Sequence, residues 1–222
     1  MAKAPRPATR TRRARTPASP YRAAVRHLAA SHPALARVVK AVGPCTMRTD
    51  PDLFALLVRT VISQQISTKA AVSIGQRLLA ALGPGGLTPA AVLALADDEL
   101  RAAGLSGAKR RSIRALAAAA ADGTLDLAAL PTMDDAAIRA ALLPIHGIGP
   151  WSVDMILIFG LGRLDVLPVG DLGLRMGVME QYRLAAPPGP RELEELAEAW
   201  RPYRTVATWY FWRSRGFVPQ SD

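Results

Sequence analysis

A chain of 222 residues, half of them hydrophobic but only 5% aromatic, is long enough to bury a core without staples, and its alanine-rich composition favours packed helices over a β-sandwich. Its one cysteine, Cys45, excludes a disulfide framework, a four-cysteine zinc site and a four-cysteine iron–sulfur cluster built within this chain. The net charge of +10 is uneven: residues 1–49 hold eleven Lys/Arg and no acid, whereas residues 50–222 hold seventeen basic against eighteen acidic residues. The first segment, residues 1–20, mixes Arg6, Arg10, Arg12, Arg13 and Arg15 with Pro5, Pro7, Pro17 and Pro20, and it offers little apolar surface to bury. It is expected to be a disordered basic arm, able to release counterions from a polyanion without reading sequence. A solvated tail or an organellar transit segment is the other reading, since a secretory signal's apolar core is missing.

From Tyr21 to Val42 apolar residues recur at helical spacing until Gly43-Pro44 stops them. Asp50-Pro51 is a cap and first-turn pair for a helix over Leu53 to Ile62, and Ser67 caps one running to Leu82. Gly83 to Gly86 is a plain loop; Thr88-Pro89 opens another helix, and Asp97-Asp98-Glu99 starts a short one closed by Gly104. Lys109 to Ala121 is a helix whose basic first turn opposes its own dipole, which suggests either an anion nearby or a solvated face. Helices from Asp134-Asp135 to Leu143, Trp151 to Gly160, Leu172 to Tyr182 and Arg191 to Ser214 complete the chain. No strand period, no repeat and no membrane span is expected; the longest uncharged stretch, Leu78 to Ala96, is broken by Gly83-Pro84-Gly85-Gly86 and Pro89. The fold class is all-α.

Between two of these helices lies Leu142-Leu143-Pro144-Ile145-His146-Gly147-Ile148-Gly149-Pro150-Trp151-Ser152. Glycine removes the Cβ that blocks close approach, and the N–H groups at a helix start form an anion site, so this turn suits a phosphate. An ordinary turn between helices is the plainer reading of a Gly-x-Gly alone. Asp171 follows Trp151 by twenty residues, in Pro168-Val169-Gly170-Asp171, where an aspartate is first of all an N-cap.

Taken together, these segments resemble the helix-hairpin-helix DNA glycosylase superfamily, from about Asp50 to the carboxyl end. Leu57 to Ala71 is similar to its early signature, Gly147 to Met155 to the hairpin of its alkylpurine branch, and Trp200 to Arg213 to the last helix of its 3-methyladenine DNA glycosylase II type. The resemblance places Trp151 where bifunctional members carry the lysine that forms a Schiff base. It therefore implies a monofunctional enzyme that removes alkylated purines from double-stranded DNA and leaves an abasic site, with no iron–sulfur cluster.

It further implies two helical lobes around a cleft, residues 50–164 forming one and residues 21–49 with 165–222 the other, without a β-rich amino-terminal lobe. Asp171 becomes the catalytic carboxylate; Trp151, Met155 and Trp212 become the walls against a flipped base. Gln65 fills the gap left in the duplex, with Gln64 close by on the DNA. Gly147, Ile148, Gly149 and Ser152 hold phosphate through main-chain N–H groups. Asp154 is surface or structural, and His146 stands where a glycine or basic residue is usual. The hairpin carbonyls imply a monovalent ion; no side-chain metal site or other cofactor is expected. A cytoplasmic monomer is expected. A non-catalytic DNA-binding module and a glycosylase for deaminated or oxidised bases remain alternatives.

Overall fold

The computed structural model describes residues 20–217, so the basic arm lies outside the described residues. Twelve α-helices are found among them: α1 (Arg22–Ser31), α2 (Pro33–Val42), α3 (Leu53–Ser63), α4 (Thr68–Leu82), α5 (Pro89–Ala94), α6 (Asp97–Ala102), α7 (Gly107–Ala121), α8 (Asp135–Leu142), α9 (Pro150–Met155), α10 (Leu172–Tyr182), α11 (Pro190–Ala197) and α12 (Arg204–Ser214). The described residues contain no strand, and the fold is all-α.

Several boundaries differ from expectation, each for a local reason. The stretch from Tyr21 to Val42 is two helices, because Pro33 pushes the preceding residue out of helical geometry; His32 is extended at φ −157°, and its Nδ1 accepts from Ala34 N to cap α2. Asp52, not Asp50, caps α3, while Asp50 accepts from Asp52 N and pairs with Arg59. Gly83–Gly85 forms a short 3₁₀ turn where a plain loop was expected. The last segment splits at Arg201-Pro202 into α11, a 3₁₀ turn over Glu198–Trp200, and α12.

The helices form two packed groups. One holds α3 to α9, in which α3 touches α4, α7 and α9; the other brings α1, α2, α10 and α12 together. Two helices are buried almost all round. In α3 nine of eleven residues are buried, and in α12 the run Thr205 to Trp212 is buried without interruption. Such burial is tolerated because the polar atoms are answered: Thr205 Oγ1 donates to Arg163 O, Thr208 Oγ1 to Arg204 O, and Tyr210 Oη to Gly43 O. At Gly177 of α10 a Cβ would come 2.9 Å from the Phe211 carbonyl, so α10 crosses α12 at backbone contact. That close crossing sets the start of α10 beside the end of α12.

Candidate active site

The segment before α10 is clamped onto the start of α12. Arg201 and Arg204 both reach the Asp165 carboxylate at 2.8 Å, and Val166 N donates to Thr205 Oγ1. Asp171, at the end of this segment, is the N-cap of α10, its Oδ1 accepting from Leu174 N at 2.6 Å. Two indole N–H groups complete its shell. Trp212 Nε1 donates to Oδ1 and Trp151 Nε1 to Oδ2, both at 2.8 Å. The carboxylate is thus 7% exposed, answered by three donors, and set where the hairpin of one helical group meets the last helix of the other.

This arrangement corrects two of the expected walls. Trp212 is fully buried, with its ring stacked on Phe159 at 5.8 Å and 20°, so it offers no open face; its one N–H is taken by the acid. Met155, one turn after Trp151, is likewise fully buried in the core and has no surface to present. Trp151 keeps a partly exposed ring beside the acid. The donor role of the indoles was missed although a signal existed: a buried tryptophan has one polar atom and needs one acceptor for it.

The turn between α8 and α9 is tight. Gly147 has φ +82°, and a Cβ there would come 1.8 Å from Ser112 Oγ on α7, so its missing side chain serves packing against the protein. At Gly149 a Cβ would meet nothing, which leaves that residue open to an approaching backbone. Ile148 leaves the expected phosphate-binding set: its N–H donates to Ile145 O at 3.0 Å and its side chain is 5% exposed. In α9 the first helical bond is Val153 N to Gly149 O, so the N–H groups of Trp151 and Ser152 precede the ladder and point out of the helix start. The Ser152 side chain is buried and does not face outward.

Asp154, also on α9, is 5% exposed and bonds Arg139 of α8 at 2.6 Å, which braces the two hairpin helices. Burial pushes its carboxyl above the usual range; Arg139 opposes the shift, and the nearby Asp171 adds to it. Gln65 sits exposed at the α3–α4 turn with φ +58°, and Gln64, half-buried, turns inward to the hairpin. No group of three or more His, Cys, Asp or Glu residues is placed to hold a metal ion among the described residues.

The chain is 30% identical over 200 residues to the alkylbase DNA glycosidase-like protein mag2 of Schizosaccharomyces pombe, covering 88% of this chain and 94% of that protein. It is 34% identical over 188 residues to DNA-3-methyladenine glycosylase 1 of the same organism, covering 80% of each. Among solved structures, S. pombe 3-methyladenine DNA glycosylase Mag1 in complex with abasic DNA superposes with a TM-score of 0.82 at 31% identity, over 90% of this chain and all of that one. The DNA-3-methyladenine glycosidase of Bacillus halodurans gives a TM-score of 0.74 at 34% identity, over 87% of this chain and 89% of that one. The model of the HhH-GPD superfamily base excision DNA repair protein matches residues 58–202, and the chain belongs to that family.

Proposed function

We propose that this chain is a monofunctional DNA glycosylase that hydrolyses the N-glycosidic bond of alkylated purines, of the 3-methyladenine and 7-methylguanine type, in double-stranded DNA. The observation that carries the proposal is Asp171, a nearly buried carboxylate fixed by three donors beside a partly exposed indole. As the glycosidic bond breaks, positive charge develops on the sugar, and a preorganised carboxylate stabilises it without reorienting at the moment of reaction. An alkylated purine already carries positive charge, so its departure needs little protonation. The electron-rich face of Trp151 attracts such a cationic ring, a contact of roughly 0.5–2 kcal/mol. Extrusion costs a few kcal/mol of stacking, less for a damaged base, and Gln65 at its exposed turn would fill the gap.

The hairpin would hold the phosphate backbone through main-chain N–H groups at Gly149, Trp151 and Ser152, a grip that positions without reading bases. Trp151 supplies no amine, so no Schiff base forms there and the backbone stays uncut. The turn ahead of α9 is built on Ile145 N to Leu142 O and Ile148 N to Ile145 O, and its carbonyls are hard oxygen donors that suit a monovalent cation. Such an ion would brace residues 142–148, and no step of the reaction runs through it. The enzyme would work as a cytoplasmic monomer; no helix among the described residues is long and apolar enough to cross a membrane.

The test is to incubate the chain and its Asp171→Asn variant with methylated, deaminated and oxidised duplexes and to identify the released base. The parent is expected to release 3-methyladenine and leave an uncut abasic site, with the variant slower by about 10²–10³-fold. Equal release by both removes Asp171 from the mechanism. Release only from deaminated or oxidised duplexes overturns the substrate assignment.

A further inference from the structure

The α3–α4 turn and the hairpin lie more than eighty residues apart in sequence, yet one side chain bridges them. Gln64 Nε2 donates to Gly147 O at 3.1 Å and to Ser152 Oγ at 3.0 Å. A primary amide has two N–H donors, and the hairpin takes both. Gln64 therefore has no amide donor left for a base. Its main chain leads straight into Gln65, which has φ +58° and an exposed side chain.

The same two segments share a footing on α7. Lys109 Nζ donates to Ile62 O in the last turn of α3 at 2.6 Å, and Ser112, one turn on, is the residue against which Gly147 packs. Ser152 Oγ is on a residue 1% exposed, so the Gln64 bond answers a polar group that would otherwise lack that donor in the interior.

We infer that Gln64 is a positioning residue that locks the register of the Gln65 turn to the hairpin, so that side-chain insertion at the gap and backbone grip occur as one rigid unit. The inference rests on the proposed reading that the chain extrudes a nucleotide, but it is tested on binding rather than turnover. A wedge held in place by the hairpin loses little entropy when it enters the duplex; one released from it must be ordered at that moment.

The experiment measures affinity for undamaged duplex and for a duplex carrying a reduced abasic-site analogue with 2-aminopurine beside it. Gln64→Met keeps the length and apolar volume of the side chain but donates nothing. It is expected to leave undamaged-DNA affinity within about twofold, to weaken abasic-site binding about tenfold, and to blunt the fluorescence rise. Gln65→Ala is expected to lose as much, and the double variant no more than either, since both remove one coupled function. Ser152→Ala, which deletes one acceptor, gives a smaller loss that vanishes in the Gln64→Met background, and it keeps the test open if Gln64→Met does not fold.

Parent-like abasic binding by Gln64→Met, or full additivity with Gln65→Ala, overturns the inference. A parent that binds the abasic duplex but releases no alkylated purine overturns the proposed activity and leaves the coupling scored on its own.

Discussion

A carboxylate that must sit beneath a sugar gains from donors that hold it still, and two of the three here are indoles, one fully buried and one partly exposed. Trp212 differs from Trp151 in that it has no exposed surface, so it reaches the acid through one N–H while its ring packs on Phe159. A hydrogen bond to a charged group contributes about 1.5–3 kcal/mol. If that bond orients Asp171 in the transition state, Trp212→Phe, which preserves an aromatic ring against Phe159, is expected to lower the single-turnover release rate by about 10–100-fold. DNA affinity should stay within about twofold, because no N–H that meets the backbone is altered. A variant whose affinity collapses while bound-complex chemistry persists would instead make Trp212 a packing residue. Trp151→Phe should lose both the donor and the better cation-attracting face, and so fall further.

At the scale of elements, α7 explains a feature that its sequence left ambiguous. Part of its basic start is used internally: Lys109 meets Ile62 O at the end of α3 and Arg110 pairs with Asp97 and Leu105 O, while farther along Arg114 meets Leu95 O beyond the end of α5 and Arg111 is exposed. Cations at helix carboxyl ends answer partial negative charge, so no external anion is needed to account for them. Burial lowers the Lys109 pKa, consistent with an amine drawn into the packing. The hairpin rests on the same helix at Ser112, and Gly147→Ala would both strain a φ of +82° and press a methyl into that serine. The backbone part alone costs about 1–2 kcal/mol, equivalent to a melting temperature lower by roughly 2–8 °C. Gly149→Ala meets open space and should melt close to the parent while weakening DNA binding. What was legible in the sequence follows this division. Helix existence, the hairpin and the capping role of Asp171 are local and were read from spacing and cap chemistry. That the Cα of Gly147 packs against Ser112, that Gln64 turns inward, and that Trp212 and Met155 are buried depend on which helices meet, which no single segment encodes.

For the molecule as a whole, the two helical groups meet at the acid: Trp151 comes from one, Asp171 and Trp212 from the other, so the site exists only when both are packed. Charge is arranged on a separate plan. Residues 50–222 are nearly neutral overall, and the positive excess lies in residues 1–49. Residues 20–222, which include α1 and α2, hold twenty-two Lys/Arg against eighteen Asp/Glu, so the body carries a modest positive charge, and residues 1–19 add further positive charge with no acid to offset it. Residues 1–19 hold six Lys/Arg, and each phosphate neutralised contributes about 0.9 to the slope of log affinity against log salt. Deleting residues 1–19 is expected to flatten that slope by up to about 5 and to weaken binding most at low ionic strength. The rate of base release from the bound complex should be unchanged, because none of the residues that hold Asp171, the Gln65 turn or the hairpin is removed. Titrating the full chain and the truncated chain against the same duplex over a range of salt separates the two contributions. An unaltered slope would mean that the segment makes no phosphate contact, and a slowed release step would mean that it reaches the site.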